Sequence, residues 1–559
     1  MNKKWNIKKI NVIEATKLSD ELGVSLIIAK LLVSRGIKTY EQARKFFRPE
    51  LSNLNDPFLM KNMSVAVERL QIAIFKKQNV LVYGDYDVDG TTAVAMMYSF
   101  LRRFSSKIYY YTPCRYTEGY GLSYKGVDYA LQKGCDLIIT LDCGITAIKQ
   151  IQYANNYNLD IIVCDHHEPL RDLPKAYAIL NPKQKECNYP FKELTGCGVG
   201  FKLIQAYCYK NNISFDEIRE YLDLLVVSIG ADIVPMIGEN RVLAFYGLKQ
   251  INSSPRAGFK ALLQQANKKK ILNMSDLVFG IAPRINAAGR IDHANKAVGI
   301  LIETDYKRAT TLAIQIEENN KERKSLDVEI TEEALSMIDK NKKSTVVFNE
   351  KWHKGVVGIV ASRLIETYYK PTIVFAEKDG VLTGSARSVH NFDLYHAISK
   401  CSHLCEEFGG HKYAAGLSIK KENLDQFIKQ FEQVVSNSIA KEQLQPKVDI
   451  EMEIAIDDIN PKLYRIIKQF APFGPLNPSP QFVTRSVSDS GYIRKIGVDQ
   501  AHLKFNIKSS NASISCIGFG LAKYYEKIKS PQEIDICYTI NENEWNNKKE
   551  LQLLVTDIK

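Results

Sequence analysis

Three aspartates at alternate positions could bind a metal ion. The segment GDYDVDG places Asp85, Asp87 and Asp89 directly after a short apolar run. Alternate side chains on extended backbone point the same way, so these carboxylates can converge on one cation, and Gly90 lets the chain turn into the next helix. Crowded acids without basic neighbours are costly unless a metal neutralises them. Taken alone, the motif could also be an acidic surface turn in which Asp89 caps a helix.

Further acids and histidines follow other apolar runs in the same way. Asp142 ends one run, and Asp165, His166 and His167 end the next. Asp232 ends a long apolar stretch, where an unpaired carboxylate would be expensive. Carboxylates together with imidazole form the mixed ligand set of Mg²⁺ and Mn²⁺ hydrolases. The set could hold two cations, which activate a water and stabilise the oxygens of an in-line displacement at phosphorus.

Alternating short strands and helices must position these residues. From Asn79 onward, the apolar runs NVLVYGD, KIYYYTP, DLIITLD and DIIVCDHH alternate with helical stretches that start near Thr91, Lys125 and Ile145. Continuous apolar runs are typical of strands buried on both faces, and helices between them imply right-handed crossovers. The pattern predicts a doubly wound, parallel-sheet α/β domain. Its ligand site should lie at the carboxyl ends of the strands.

The rest of the chain suggests further domains on either side of this one. We predict an N-terminal helical region at 1–78, the catalytic domain at 79–304, a connector helix at 305–341, a second α/β domain at 342–445 and a β-rich domain at 446–559. The β-rich domain has one short predicted helix, at Lys462 to Phe470, and suits a small barrel.

Composition and charge exclude several classes of protein. The 559 residues are 45% hydrophobic and 25% charged, ordinary values that exclude a disordered chain. No stretch approaches the ~20 apolar residues of a membrane span, and the amino terminus lacks a signal-peptide pattern. We therefore expect a cytoplasmic protein without membrane contact. The net charge of +12 suits a polyanion such as nucleic acid.

The cysteines indicate reduced thiols rather than a disulfide framework. There are 11 of them, an odd number, scattered without regular spacing. Cys401, His403 and Cys405 could be half of a zinc site, but a second ligand pair is missing. We expect this grouping to lie on an amphipathic helix running from Asp393 to Glu407.

The ordered motifs resemble one family. GDYDVDG, LDCG, CDHH and GADIVP look like the four successive metal-binding motifs of the DHH phosphoesterase family. Further along, PRINAAGRI, WHKGVVGIVASRL, GSARS and GGHKYAAGLSI are similar in order and spacing to its single-stranded-DNA-specific exonucleases. The three-residue motif DHH alone is weak evidence for the family, whereas the full ordered set of motifs is very specific and covers nearly the whole chain. The resemblance implies a DHH domain, a substrate-binding DHHA1 domain and a carboxyl-terminal OB-fold.

The resemblance also implies a set of metal ligands. By this resemblance, the ligands of two Mn²⁺ or Mg²⁺ ions are Asp87, Asp89, Asp142, His166 and Asp232, with Asp142 placed to bridge both ions. Asp85 lies beside them, in the ligand set or next to it. His167 would face the scissile phosphate or orient a ligand, since a ligating imidazole needs support from its surroundings. Asp165 suits such a supporting role.

Arginine and amide side chains are expected to bind the nucleic acid. Arg284, Asn286 and Arg290, in the segment PRINAAGR, offer donors to phosphate oxygens, with His293 nearby. We expect this segment to be a Gly-containing loop, and a solvated surface turn is the alternative.

A second group of expected contacts lies outside the metal motifs. By the resemblance, Ser385 and Arg387 hold a terminal 5′ phosphate, and Arg115 contacts the backbone nearby. Gly409, Gly410 and His411 are expected to form a loop whose backbone N–H groups bind an anion.

The predicted barrel could bind a single strand by stacking bases on aromatic side chains. Phe482, Tyr492 and Phe505 are candidates, although such residues on strands are more often core.

The sequence departs from the family pattern at two places. Leu476 stands where a glycine is usual, which puts the local turn in question, and SIGADIVP differs from the commoner GTVAD-type sequence but keeps Asp232.

The resemblance implies a hydrolase, a 5′→3′ exonuclease on single-stranded DNA. It would release 5′-mononucleotides by two-metal-ion hydrolysis in DNA repair and recombination, beside single-strand-binding protein and a RecQ-type helicase by analogy. One alternative is a phosphodiesterase on small or cyclic nucleotides, whose relatives resemble only the two α/β lobes. Another is a non-catalytic single-stranded-DNA-binding replication factor with decayed metal motifs, whereas every ligand position is filled here.

Overall fold

A computed structural model describes residues 3–267, 271–291, 293–378, 380–508, 513–545 and 548–559. The chain forms two compact units. The first, called the parallel-sheet unit here, comprises Arg48–Arg323 and Ala471–Pro478. The second, the barrel unit, comprises Met1–Phe47, Lys324–Phe470 and Ser479–Lys559. The predicted N-terminal helical region is therefore shared between the two units.

The secondary structure alternates between strands and helices over most of the chain. The strands of the described residues, β1 to β18 in chain order, are Lys4–Ile7, Val80–Gly84, Ile108–Tyr111, Leu137–Leu141, Asp160–Cys164, Ala178–Leu180, Thr345–Asn349, Thr372–Lys378, Val381–Arg387, Glu407–His411, Ala414–Lys420, Lys447–Ile450, Met452–Glu453, Phe482–Ile496, His502–Lys508, Ser513–Gly518, Ile534–Trp545 and Lys548–Ile558. The α-helices, α1 to α20, are Val12–Leu22, Leu26–Val33, Tyr40–Phe47, Met63–Phe75, Val88–Leu101, Tyr124–Gln132, Ile148–Asn155, Gly196–Lys210, Leu222–Ala231, Gly238–Ser253, Ala257–Gln265, Met274–Asp276, Ala282–Ile291, Asn295–Ile302, Tyr306–Ser336, Val357–Tyr368, Leu394–Ser399, Leu424–Ser438, Pro461–Lys468 and Tyr525–Lys529.

The parallel-sheet unit is built on β2 to β6. The strand order is β3-β2-β4-β5-β6, and every neighbouring pair is parallel. Alternate residues of β2 enter two separate hydrophobic cores, with Val80 and Val82 in one and Leu81 and Tyr83 in the other. Both faces of the sheet are therefore covered, which confirms the doubly wound α/β prediction. The chain switches direction of winding between β2 and β4, where such sheets bind ligands.

The barrel unit contains a mixed sheet, which confirms the predicted second α/β fold. Its strand order is β10-β11-β9-β8-β7, with β7 and β8 parallel and the other neighbours antiparallel. The amphipathic helix α18 contributes Phe427 and Phe431 to the core that this sheet shares with α17.

Two local predictions near this sheet are wrong. The predicted helix from Asp393 to Glu407 ends at Ser399, and Glu407 already begins β10. Gly409 to His411 is part of β10 rather than a loop, because these residues pair with β11. The expected amphipathic helix around Cys401 is therefore absent, and Cys401 itself is fully buried in the core.

The predicted barrel is present. β14, β15, β16, β18 and β17 form a ring that closes because β17 also pairs with β14. β16 and β18 are parallel, and the other neighbours in the ring are antiparallel. Phe482 and Phe505 are fully buried, whereas Tyr492 is 43% exposed. Of the three aromatic candidates for base stacking, only Tyr492 can therefore contact a ligand.

The amino terminus contributes a strand that the sequence analysis does not predict. β1 pairs in parallel with β12, and the indole N–H of Trp5 donates to Oδ2 of Asp557 at 2.8 Å. This pairing joins two segments that lie far apart in the chain, so no local sequence pattern predicts it.

The longest helix, α15, covers most of the predicted connector, and the boundary between the units falls within it at Arg323.

Among the described residues, no helix combines the length and apolar character needed to cross a membrane. The cytoplasmic location stays a prediction.

Leu476 adopts the conformation that a glycine would favour. Its φ is 60°, and its side chain is 65% exposed. Gly474 and Asn477 exchange two backbone hydrogen bonds of 3.0 Å around it, so the turn forms despite the leucine. The left-handed conformation costs a leucine roughly 1 kcal/mol.

Candidate active site

The three aspartates of GDYDVDG do not fall into one group of potential ligands, although their spacing led us to expect one. Asp87 is the N-cap of α5, and its Oδ1 accepts from the Gly90 N–H at 3.0 Å. The helix therefore begins at Val88, and Asp89 lies in its first turn rather than on extended backbone. Asp85 and Asp87 group with Asp142, while Asp89 joins a different group.

Neighbouring strand ends complete the site. Asp142 follows β4 with a φ of 60°, and His166 follows β5 by two residues. Asp232 caps the C-terminus of α9. Gly196 packs so tightly beside Asp142 that an added Cβ would lie 2.4 Å from the Asp142 Cβ. Parallel winding thus brings residues far apart in sequence to one edge of the sheet.

Three groups of potential ligands result. Their ligand atoms lie within 4.8 Å of one another in each group: Asp85, Asp87 and Asp142; Asp142, His166 and His167; Asp89, His166 and Asp232. Asp142 and His166 each belong to two groups. Nε2 of His166 lies 3.2 Å from Oδ1 of Asp142 and 3.6 Å from Oδ2 of Asp232.

The residues present fit divalent cations. Nε2 of His166 and Oδ2 of Asp232 are buried, and neither has a hydrogen-bond partner among the residues that the structure describes. An unpartnered buried nitrogen and oxygen facing each other are costly in the protein alone and suit ligation. The mixture of carboxylate oxygens and one or two imidazoles matches the donors of Mn²⁺ or Mg²⁺ sites.

Burial and mutual repulsion shape the charges of these groups. Burial raises the pKa of Asp85, Asp87 and Asp142, and neighbouring carboxylates raise it further. Burial, with repulsion from Asp89 and Asp87, raises the pKa of Asp232 to about 8. Burial lowers the pKa of His166, which keeps its imidazole neutral and able to ligate. A positive charge bound among these carboxylates would therefore strongly stabilise their ionised form.

Asp89 is held by the N-terminus of α8. Its carboxylate accepts from the backbone N–H groups of Gly196 and Cys197 at 2.6 and 2.9 Å, and from the Ser228 hydroxyl at 2.7 Å. A helix N-terminus stabilises negative charge. This support was not predicted from the sequence. The segment TGCG, in which Thr195 is the N-cap of α8, is the signal that could have identified it.

His167 is oriented by Asp165. Oδ1 of Asp165 lies 2.7 Å from Nδ1 of His167, and the same carboxylate accepts from the backbone N–H groups of Ile145 and His166. Although burial opposes a charged imidazole, the bond to Asp165 raises the pKa of His167 to about 9. With its carboxylate occupied in this way, Asp165 is placed to orient the imidazole of His167.

Tyr120 is a further residue that the sequence analysis misses. Its hydroxyl lies 3.1 Å from Nδ1 of His167 and donates to the backbone oxygen of Asp142 at 3.2 Å. Gly119 and Gly121, both with positive φ, flank it and form the turn that presents the ring. A tyrosine between two glycines in the segment EGYGL is the sequence signal.

The segment PRINAAGR is helical rather than a loop. It lies within α13, which follows a π-helical turn, Leu277–Ile281. Arg284 is buried, and its Nε lies 2.6 Å from Oε2 of Glu317. Arg284 is therefore an internal ion-pair partner, and the expectation of a loop-borne phosphate ligand is wrong for it.

The other predicted contacts of this unit lie nearer to solvent. Asn286 and Arg290 are half-buried on α13, and the Tyr116 hydroxyl donates to the backbone oxygen of Arg290. The guanidinium of Arg115 lies 4.9 Å from the ring centroid of Tyr86, inside the GDYDVDG motif. Arg115 therefore lies beside the GDYDVDG motif, and its contact with the DNA backbone stays a prediction.

The barrel unit brings Ser385 and Arg387 to a helix N-terminus. Nη1 of Arg387 donates to the Ser385 hydroxyl at 3.1 Å. A Cβ added to Gly358, in the first turn of α16, would lie 2.9 Å from that hydroxyl. Guanidinium, hydroxyl and helix N-terminus together can bind a phosphate. Gly409, Gly410 and His411 lie on the edge strand β10, where they are exposed.

Comparison with known proteins identifies the family. Family models match the DHH family N-terminal domain at 79–229, the DHHA1 domain at 341–437 and the RecJ OB domain at 450–557. The chain is 36% identical to the single-stranded-DNA-specific exonuclease RecJ of Bacillus subtilis, over 99% of this chain and 70% of that protein. It is 30% identical to the Escherichia coli protein of that name, over 100% of both. The chain belongs to the RecJ family.

A solved structure supports the same assignment. RecJ from Thermus thermophilus in complex with Mn²⁺ has a TM-score of 0.87 at 25% identity and covers 100% of this chain, which covers 79% of that one. The predicted DHH family, the DHHA1 domain and the OB-fold are thus confirmed.

Replacing Asp232 with asparagine tests whether repulsion among the buried carboxylates of this RecJ-family site destabilises the metal-free fold. A folded pKa of about 8 lies above the unfolded value of roughly 4, so ionisation of this carboxyl opposes folding increasingly between those pH values. Without metal, Asp232→Asn should melt at a higher temperature than wild type at pH 8, and the difference should shrink at pH 5. Thermal unfolding in EDTA measures it. A difference that does not grow with pH would contradict this account.

The support of His167 by Asp165 predicts a second effect. Asp165→Asn removes the charge that holds the imidazole and should lower turnover roughly 10- to 100-fold while the chain stays folded. Steady-state hydrolysis across pH 6 to 9 is the measurement. The matched control is Asp172→Asn at an exposed position, which should retain wild-type turnover. Equal rates in both variants would argue against the role of Asp165.

Proposed function

We propose that this chain is a metal-dependent, single-stranded-DNA-specific 5′→3′ exonuclease that releases 5′-mononucleotides in DNA repair and recombination. The observation that carries the proposal is the paired set of unpartnered ligand atoms, on His166 and Asp232, within a chain of the RecJ family. A relative with decayed metal motifs would lack this chemistry, and an enzyme with only two α/β lobes would lack the closed barrel.

The proposed mechanism divides the work among the described groups. Asp85, Asp87 and Asp142 would hold one divalent cation. Asp89, His166 and Asp232 would hold the other, and Asp142 would bridge both. When bound, two Mn²⁺ or Mg²⁺ ions supply Lewis acidity and an activated water for in-line displacement at phosphorus.

His167 is suited to act on the phosphate. Its raised pKa, about 9, keeps the imidazole protonated at neutral pH, and Asp165 holds Nδ1. Nε2 can therefore donate to a phosphate oxygen or pass a proton to the departing 3′ oxygen. The Tyr120 hydroxyl beside the ring would keep the imidazole from rotating.

End recognition is proposed to rest on the phosphate-binding residues of the barrel unit. Ser385, Arg387 and the N-terminus of α16 would bind the terminal 5′ phosphate, and Arg115, Asn286 and Arg290 would contact the backbone. The exposed edge strand with Gly409, Gly410 and His411 offers further N–H donors. Arg284 is not among the proposed contacts, because its guanidinium pairs with Glu317.

Single-stranded DNA is the proposed partner in all of these steps, and the OB domain is a common platform for it. Contacts with single-strand-binding protein and a RecQ-type helicase, and a cytoplasmic location, are proposed by analogy with the family.

Digestion of an end-labelled strand tests the activity and its polarity. With Mn²⁺, a strand labelled at its 5′ end should release labelled mononucleotide at once, whereas a 3′ label should be released only at the end of digestion. Asp87→Ala is the blank, since it removes a proposed ligand and should lower the rate at least ~1,000-fold. A dinucleotide serves as the competing substrate. Faster hydrolysis of the dinucleotide with an intact long strand would overturn the proposal.

Replacing Arg387 tests the recognition of the 5′ end. Arg387→Ala should lower kcat/KM on a 5′-phosphorylated strand roughly 10- to 100-fold and reduce the preference over a 5′-hydroxyl strand, because the charge-assisted bond is lost. Arg44→Ala, at an exposed arginine on α3, is the control with unchanged kinetics. An unchanged preference in Arg387→Ala would exclude this contact.

A further inference from the structure

The loop that follows Asp232 has a conformation that its own sequence disfavours. Ile233 has a φ of 57°, in the left-handed region where a β-branched side chain is strained. Ile233 is 68% exposed, so burial of its own side chain does not offset the strain. Strain of this kind persists only where the surrounding structure fixes the backbone. Other contacts must therefore hold this loop.

One such contact comes from a segment distant in sequence, Ala471–Pro478. The backbone N–H of Met236 donates to the backbone oxygen of Pro475 at 2.7 Å. Met236 is buried, and its side chain lies directly under Gly474. A Cβ added to Gly474 would lie 3.1 Å from the Met236 Cβ, so that a larger side chain here would have to displace Met236. The segment thus closes tightly over the loop.

A second contact with the unit and hydrogen bonds within the segment also hold Ala471–Pro478 in place. Nη1 of Arg241, on α10, donates to the backbone oxygen of Ala471 at 2.9 Å. The side chain of Asn477 is buried and donates from Nδ2 to the backbone oxygen of Pro472 at 2.9 Å. Gly474 and Asn477 exchange backbone hydrogen bonds of 3.0 Å. The segment is therefore tied both to α10 and within itself by hydrogen bonds.

We propose that Ala471–Pro478 is a positioning element for Asp232. It fixes the loop at Met236, maintains the strained backbone at Ile233 and so aims Oδ2 of Asp232 at Nε2 of His166, 3.6 Å away. The inference rests on the proposed function in one respect, the assignment of Asp232 as a metal ligand. It predicts that the affinity for metal depends on residues that contact neither metal nor DNA.

Metal titration of the full chain tests the proposal. Gly474→Val places two methyl groups against Met236, and isothermal titration calorimetry with Mn²⁺ alone should show at least ~10-fold weaker binding than wild type at one site. Gly474→Ala should give an intermediate loss. Gly299→Ala, in the same unit, adds a Cβ that meets no neighbouring atom within 4 Å and is the matched control for Gly474→Ala, with wild-type affinity. Leu476→Gly keeps the positive φ of the turn and should also bind as wild type does.

Hydrogen exchange on the wild-type chain gives a second readout that requires no folded variant. Coupling between two sites is reciprocal, so Mn²⁺ should slow amide exchange in a peptide covering 471–478. A peptide from α18, in the barrel unit, is the control and should not respond. Wild-type affinity in Gly474→Val, or exchange at 471–478 that saturating Mn²⁺ leaves unchanged, would overturn this inference alone. Absence of Mn²⁺ binding by the wild-type chain would overturn the proposed function together with it.

Discussion

The repulsion among buried carboxylates at the edge of the parallel sheet is the constraint on which the rest of the structure depends. Asp85 and Asp142 are buried with Asp87 half-buried beside them, and burial with mutual repulsion raises the pKa of each. Such a cluster opposes folding unless compensating positive charge or hydrogen-bond donors are supplied. The protein supplies part of this compensation itself, and bound cations would supply the remainder.

The fold supplies compensation through the ends of its helices. The N-terminus of α8 binds the Asp89 carboxylate with two backbone N–H groups, and Asp87 caps α5. His167 brings a positive charge, held in place by Asp165. Doubly wound topology makes this possible because crossovers place helix N-termini and strand carboxyl ends at the same edge. The site and the fold therefore have the same physical origin.

Local patterns mislead where long-range contacts decide the outcome. Arg284 belongs to a motif rich in donors, yet it pairs with Glu317 in the interior. Phe482 and Phe505 are core residues, while Tyr492 on the same barrel is exposed. In each case, the residue type permits both outcomes, and only a partner distant in sequence selects one.

The sequence by itself determined the doubly wound class, the barrel, the family and the acids and histidines of the candidate site. Those features follow from apolar periodicity and from ordered motifs, which are local in the chain. Only the tertiary structure decided how the acids divide into groups, since Asp87 starts a helix that turns Asp89 away from Asp85. It also brought Tyr120, Ser228 and the segment Ala471–Pro478 to the site. These residues act through contacts across long sequence separations, which no local spacing encodes.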